Sequence, residues 1–192
     1  MSSTQQSGVP STFHLVHSFL KIRLTGAPQP GLDDGTVDGV PVWQLIYFCL
    51  RCGDAAAAQE AARAAGPGLA DTASLLAELT AGDSRLPPQT EAMVRLQYRR
   101  LVRQSADPYK RAVHCVLGGC DPQEEHSEVA TSLDDWLWLK LCLVRGEAGP
   151  DTLTLPALQT LLTEEYGQQN KSFFEHVSSA SPIYHLCNSA KM

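Results

Sequence analysis

Cysteine and histidine are the residue types of this chain that could bind a metal ion or carry out redox chemistry. Cys49 and Cys52 have the C-x-x-C spacing of many zinc and thiol-redox sites, and Cys115 and Cys120 are separated by four residues. A structural zinc site needs four thiolate or imidazole ligands around one ion. Cys49 and Cys52 fall inside a continuous apolar helical pattern, where a free cysteine behaves as a small hydrophobic side chain. We therefore expect that these cysteines pack in the core, and zinc binding and redox chemistry are the alternatives.

The histidines and short motifs give no catalytic pattern. His14 and His17 are three positions apart, and the six histidines form neither an H-x-x-x-H nor an H-E-x-x-H spacing. We expect them at the surface or in interfaces. No P-loop, G-x-G-x-x-G or G-x-S-x-G motif occurs, so nucleotide binding and serine-type acyl transfer are not indicated. Asp134 and Asp135 fit the start of a helix better than acid–base catalysis, because the helix dipole favours negative charge there. The sequence predicts no catalytic residue, cofactor or metal ion.

The overall composition is that of a globular, mildly acidic chain. It has 192 residues, of which 43% are hydrophobic, and a formal net charge of -6. Such a chain can bury a core but lacks the positive field on which non-specific DNA binding depends. No apolar run approaches the roughly 20 residues that span a bilayer, and residues 1–10 lack the features of a secretory signal. We therefore expect reduced thiols in the cytosol or nucleus, and no direct nucleic-acid or small-molecule partner.

Charge is distributed unevenly along the chain. Residues 85–111 carry seven basic and two acidic side chains, whereas residues 121–175 carry three basic and eleven acidic ones. Residues 90–104 predict an amphipathic helix with Arg95, Arg99 and Arg103 on one face and four apolar or aromatic residues on another, namely Val94, Tyr98, Leu101 and Val102. The arginine stripe is either a solvated face or a surface that pairs with acidic groups of the chain or of a partner, which gives orientation more than affinity. RNA contact would need more stacking aromatics beside the arginines.

The elements that position these residues are predicted to be helices separated by Gly, Pro and Asp. Apolar residues at spacings of three and four predict helices over residues 13–24, 41–52, 54–65, 69–79, 90–104, 108–118, 133–144 and 155–166. Residues 25–40 contain four glycines and two prolines and predict a loop. The absence of a period-two alternation argues against a sheet. Because the intervals between hairpins are unequal, we predict an all-α, irregular solenoid of stacked αα-hairpins.

Four large aromatic residues are the predicted core anchors, namely Trp43, Tyr109, Trp136 and Trp138. On a helix, Trp136 and Trp138 project about 200° apart. Both can be covered only if neighbouring helices lie on two sides, as in the interior of a solenoid.

Three stretches of the sequence are similar to those of one protein family. They are PVWQLIYFCLRCGD at residues 41–54, DPYKRAVHCVLGGCD at residues 107–121, and SLDDWLWLKL at residues 132–141 followed by LTL and EEYG at residues 153–155 and 164–167. In this order and spacing they resemble the nucleoporin-interacting-component family, over about residues 13–168.

The resemblance implies a scaffold role in the inner ring of the nuclear pore complex at the nuclear envelope, through a helical solenoid akin to those of vesicle coats. It implies other nucleoporins as partners: the large inner-ring solenoids, a membrane-associated linker nucleoporin and the central-channel trimer. Family members are several times longer, their N-terminal partner-binding segment has no counterpart here, and the sequence after residue 167 leaves the pattern. We therefore expect a fragment with a flexible segment over residues 1–12, a solenoid over 13–168 and a poorly ordered tail over 169–192. A generic helical adaptor, such as a vesicle-coat protein, is the alternative.

Overall fold

A computed structural model describes residues 10–25, 33–82, 85–146 and 152–166. The elements in chain order are α1 (Thr12–Arg23), β1 (Thr36–Val37), β2 (Val40–Pro41), α2 (Val42–Arg51), α3 (Ala55–Ala64), α4 (Ala70–Ala81), α5 (Pro88–Gln97), α6 (Pro108–Gly118), α7 (Leu133–Leu143) and α8 (Leu155–Tyr166). The predicted helices are confirmed to within a few residues at their ends. The predicted tail over residues 169–192 and most of the predicted segment 1–12 lie outside the described residues.

Glycine and aspartate end and begin the helices where the sequence predicts it. Gly53 follows α2 with a φ of +76°, and the Asp54 side chain accepts a hydrogen bond of 2.8 Å from the Ala57 amide at the start of α3. Asp107 accepts from the amide of Lys110 at the start of α6, and Gly119 ends α6 in the left-handed region. These side chains satisfy amides that have no partner within their own helix.

The described residues fall into two compact units divided between Leu143 and Val144. In the first unit, α2 and α3 form the predicted αα-hairpin, and α3 also packs on α4. Four buried alanines allow this close approach, namely Ala57, Ala58, Ala61 and Ala62. α5 packs on α6, which also contacts α2 and α7, while α1 lies against α2 and α3. The core is therefore assembled from contacts between consecutive helices and from the packing of α6 on α2, which is distant in sequence.

A short β-hairpin lies in the segment that the sequence analysis predicts to be loop. β1 and β2 are antiparallel, with Thr36 opposite Pro41 and Val37 opposite Val40. Asp38 and Gly39 form the turn with φ values of 48° and 84°, as a two-residue Asp-Gly hairpin turn requires. The loop prediction is wrong for residues 36–40, because strands of two residues are too short to show a period-two alternation. Pro41 accordingly precedes α2 and is not its first residue.

The helix predicted over residues 90–104 is interrupted by a π-helical turn, Tyr98–Val102. The amide of Arg103 donates to the carbonyl of Tyr98, five residues back, over 2.9 Å. This wider turn keeps Tyr98 and Val102 buried on the side of Val94. Leu101, predicted on the same face, is instead 73% exposed, so that assignment is wrong. A spacing rule for regular helices cannot anticipate a π turn.

The second unit contains α8 and a β-bridge. Val144 and Leu153 form the bridge, and the Arg145 amide donates to the Leu153 carbonyl over 2.7 Å. The Ala157 amide donates to the Thr154 hydroxyl over 3.4 Å at the predicted start of α8. No helix in the described part of either unit combines the length and the apolar character needed to cross a membrane.

Candidate protein-binding surface

Arg95, the first residue of the predicted arginine stripe, joins α5 to the end of α6. Its Nε and Nη2 atoms donate to the Gly118 carbonyl over 3.2 and 3.1 Å, and Nη2 also donates to Glu91 over 3.2 Å. Gly118 is the last residue of α6, where carbonyls lack partners within the helix. Arg95 therefore satisfies a helix end within the fold, and its side chain is only 25% exposed.

Arg99 and Arg103, the other two members of the stripe, lie at the surface. The Arg103 Nε atom is 3.2 Å from Asp121, and the Arg103 side chain is 62% exposed. Asp121 also accepts a hydrogen bond of 3.0 Å from the Tyr98 hydroxyl. The Asp121 side chain is only 16% exposed, so the exposed side of the Arg103 guanidinium is the part that could meet a second carboxylate. Binding of a partner by the stripe remains a prediction.

A second charged cluster lies at the start of α6, around the predicted anchor Trp43. Lys110 Nζ lies 2.7 Å from Asp34 and 3.3 Å from Asp33, and Trp43 Nε1 donates to Asp34 over 2.8 Å. Burial alone would raise the pKa of Asp34, but the hydrogen bonds from Lys110 and Trp43 bring it below its ordinary value. This cluster connects the segment before the β-hairpin to α6. Lys110 and Arg111, two of the seven basic residues of 85–111, are thus paired with acidic side chains of the same chain.

Aromatic rings connect α1, α2, α6 and α7. The Tyr47 ring lies 5.4 Å from Tyr109 and 5.5 Å from Trp138, in edge-to-face contacts. The next residue, Phe48, contacts both Tyr109 and Phe19, at 6.2 and 6.0 Å. Tyr109 and Trp138, both predicted anchors, are half-buried. Sequence reasoning missed Tyr47 and Phe48, although two adjacent aromatic residues in an apolar helix would have been a usable signal.

The two remaining predicted anchors, Trp43 and Trp136, are buried. Trp43 packs against the His114 ring at 5.1 Å. Trp136 donates from Nε1 to Glu125 over 2.6 Å. Lys140, one turn further along α7, is 2% exposed and donates to the carbonyls of Pro122 and Glu124 and to the Glu125 carboxylate. The sequence analysis did not single out Lys140, because a lysine in an apolar helix carries no signal of the carbonyls that it meets.

The cysteines occupy different environments. Cys49 is buried, and burial raises the pKa of its thiol to about 12. Cys52 is exposed, so core packing is wrong for this residue, which follows the last turn of α2. Cys115 and Cys120 are both buried, and the hydrogen bond with Cys120 together with burial raises the pKa of Cys115. Within residues 10–25, 33–82, 85–146 and 152–166, no three His, Cys, Asp or Glu side chains converge so as to hold a metal ion.

Two histidines lie in the interior, contrary to the prediction that the histidines are at the surface or in interfaces. His114 and His126 are both buried, and burial lowers the pKa of each. His114 Nδ1 is 2.8 Å from the Lys110 carbonyl, whereas neither ring nitrogen of His126 has a hydrogen-bond partner among the described residues. The spacing of apolar residues around His114 on α6 and His126 in the loop before α7 does not predict that these side chains are buried.

The arrangement offers exposed helix surfaces for contacts with other proteins, and comparison with known proteins identifies its family. The family model described as Nup93/Nic96 matches residues 1–186. The chain belongs to the Nup93/Nic96 family. The predicted resemblance is thereby confirmed, and the matched range is wider than residues 13–168.

Curated members of the Nup93/Nic96 family agree with this assignment. Nuclear pore complex protein Nup93 of Xenopus tropicalis is 49% identical over 176 residues, which are 88% of this chain and 21% of the relative. Nup93 of Danio rerio is 48% identical over 178 residues, covering 90% of this chain and 22% of the relative. Nup93-1 of Drosophila melanogaster is 34% identical over 174 residues, covering 88% and 21%. The chain thus spans about a fifth of the length of these relatives.

A solved structure gives the fold. The crystal structure of Chaetomium thermophilum Nic96 SOL matches with a TM-score of 0.67 and 20% identity, over 82% of this chain and 24% of that one. The predicted fold class, an all-α irregular solenoid, is confirmed.

Proposed function

We propose that this chain is a structural segment of the nuclear pore complex scaffold, located at the nuclear envelope, and that it acts through protein–protein contacts. The observation that carries this proposal is the Nup93/Nic96 family match over residues 1–186, together with a stack of helices that presents its outer faces to solvent. The relatives named above are nuclear pore complex proteins, which favours the pore over a vesicle-coat adaptor. We assign no catalytic role.

The proposed partners are other nucleoporins of the inner ring. Within the family resemblance these are the large solenoid nucleoporins, the membrane-associated linker nucleoporin and the central-channel trimer. We further propose that Arg99 and Arg103 contribute to capture of an acidic partner surface. A role in partner binding is less favoured for Arg95, because its guanidinium already donates to the Gly118 carbonyl.

The experiment is to express the full chain with a fluorescent tag in cells whose pores carry a second label. Rim enrichment that coincides with the pore label supports the proposal, and a diffuse signal or enrichment on vesicles contradicts it. Purification of the tagged chain should recover nucleoporins, and Arg99→Glu with Arg103→Glu should reduce their recovery while far-UV circular dichroism stays unchanged. Equal recovery with the double variant would remove the arginine stripe from the proposal without affecting the assignment to the pore.

A further inference from the structure

Helix α1 carries apolar side chains on two neighbouring sides, an inner and an outer one. The inner face buries Val16 and Leu20 against the rest of the first unit. The outer face exposes Leu15, Phe19 and Ile22, the last of which is 78% exposed. Their spacing of i, i+4 and i+7 is that of a single stripe along two turns. A helix with apolar residues on both sides is ordinarily covered on both sides.

The outer stripe continues onto α2 and is bordered by a cation. The Phe19 ring meets the Phe48 ring edge-to-face at 6.0 Å. The Arg23 guanidinium lies 5.8 Å from the centre of the Phe19 ring and 5.9 Å from that of Phe48. We call the surface formed by Leu15, Phe19, Ile22, Arg23 and Phe48 the α1 outer face. Aromatic and arginine side chains are the types that most often carry binding energy at protein interfaces.

The charge of the α1 outer face is positive. Lys21 and Arg23 are the Lys and Arg residues of α1, which contains no Asp or Glu. No acidic side chain of α1 is therefore present to neutralise Arg23 along the helix. A partner that brings carboxylates beside its apolar residues would complement this surface in both respects.

We infer that the α1 outer face binds an acidic amphipathic helix of a partner protein. The partner helix lies along α1, places apolar side chains on Leu15, Phe19 and Ile22, and pairs a carboxylate with Arg23. A helix is the favoured form because the apolar stripe follows one helical face and extends over two turns, as in helix-in-groove recognition. A membrane surface is less favoured, because electrostatic attachment to lipid uses clusters of four to eight basic residues and α1 has two. The inference rests on the proposed function only in taking the partner to be a nucleoporin.

The first experiment identifies the occupant by photocrosslinking in cells. The full chain carries benzoylphenylalanine at Ile22, or at Leu141, which is 49% exposed and lies on α7. The expected product is a crosslink from position 22, absent from position 141, to a nucleoporin segment with apolar residues at helical spacing and Asp or Glu within one turn. No crosslink, a crosslink to lipid, to a segment without acidic residues or to residues 168–192 of this chain would each overturn the inference.

The second experiment measures binding of a synthetic peptide with the crosslinked sequence by fluorescence anisotropy. Ile22→Ser should weaken binding about tenfold, as truncation of one interface anchor does, whereas Leu141→Ser should leave it unchanged. Arg23→Glu should weaken binding similarly, and a peptide with Lys at the paired acidic position should restore it. Loss of affinity that the charge exchange does not restore would contradict the proposed pairing. Phosphatidylcholine vesicles with a quarter phosphatidylserine should not sediment the chain.

The two proposals can fail separately. If the tagged chain reaches the pore rim while Ile22→Ser and Arg23→Glu leave peptide binding intact, the assignment to the pore stands and the α1 outer face is not the docking surface. If the chain never reaches the rim but its crosslinked segment comes from another acidic helical protein, the docking surface stands and the pore assignment fails.

Discussion

Replacement of Arg95 by glutamine tests whether this arginine stabilises the fold, in contrast to the arginines that are proposed to bind a partner. Arg95 makes two hydrogen bonds to the Gly118 carbonyl and one to Glu91. A hydrogen bond to a charged group contributes about 1.5–3 kcal/mol when buried, and solvent reduces this contribution at a partly exposed site. The Arg95 side chain is 25% exposed, so we expect Arg95→Gln to lower the free energy of unfolding by about 1–2 kcal/mol. For a chain of this size, that loss corresponds to about 2–8 °C in the melting temperature.

The assay is urea denaturation of the full chain followed by far-UV circular dichroism. Arg100→Gln is the matched control, because Arg100 is an exposed arginine of the π turn and surface substitutions change stability by less than about 0.5 kcal/mol. Glu91→Gln removes the charge that pairs with Arg95 but leaves the Gly118 carbonyl bonded, so it should lower the free energy of unfolding by less than Arg95→Gln does. If Arg95→Gln destabilises the chain no more than Arg100→Gln, then Arg95 does not join α5 to α6 in the way described.

Three further predictions concern buried polar groups. Asp107→Ala should lower the free energy of unfolding by about 1–2 kcal/mol because it removes the N-cap of α6, whereas Asp107→Asn should keep most of the stability. Equal losses for the two variants in urea denaturation would contradict this prediction. Lys140→Met should cost about 2–3 kcal/mol through the lost hydrogen bonds to two carbonyls and Glu125, and a loss below about 0.5 kcal/mol would show that these bonds do not stabilise the loop before α7. Burial lowers the pKa of His114 and His126 from the ordinary 6.5, so their stabilising contribution is complete above pH 6.5 and is lost as the pH falls below it. Melting temperatures between pH 8 and pH 5 should fall accordingly, and less steeply for His126→Asn, which cannot titrate.

Helix positions could be predicted because the signals that set them are local. Asp54, Asp107 and Gly119 act on amides or dihedral angles within a few residues of themselves, and a single sequence contains all of that information. The β-hairpin and the π turn lacked a comparable signal. Strands of two residues are too short to show a period in the sequence. The π turn that begins at Tyr98 brings Val102 to the buried side of Val94, and this packing is not visible in the spacing of apolar residues.

The surface could be predicted only in part, because its properties depend on partners distant in sequence. The arginine stripe is visible as a charge run, but the pairing of Arg95 with Gly118 requires the packing of α5 on α6. His126 and Lys140 likewise gain their environments from the loop between α6 and α7. Exposure of Phe19 and Ile22 is not visible in the sequence either, since the apolar residues of α1 suit burial equally on either side.

Long-range polar contacts and exposed apolar residues have complementary roles in this stack of helices. Lys110 connects α6 to the segment before the β-hairpin through Asp34, and Arg95 connects α5 to the end of α6 through the Gly118 carbonyl. Residues that are buried by such contacts are unavailable to partners, whereas Arg103 and Ile22 keep 62% and 78% of their surface exposed. Arg99 and Arg103 lie on and directly after the π turn, whereas the α1 outer face is formed by α1 and Phe48 of α2. If different partners bind the two surfaces, Ile22→Ser should reduce recovery of one partner and Arg103→Glu that of the other, and the double variant should lose no more of either partner than the matching single variant. Because free-energy changes at separate sites of one interface add, loss of one partner by the product of both factors would mean that this partner contacts both surfaces.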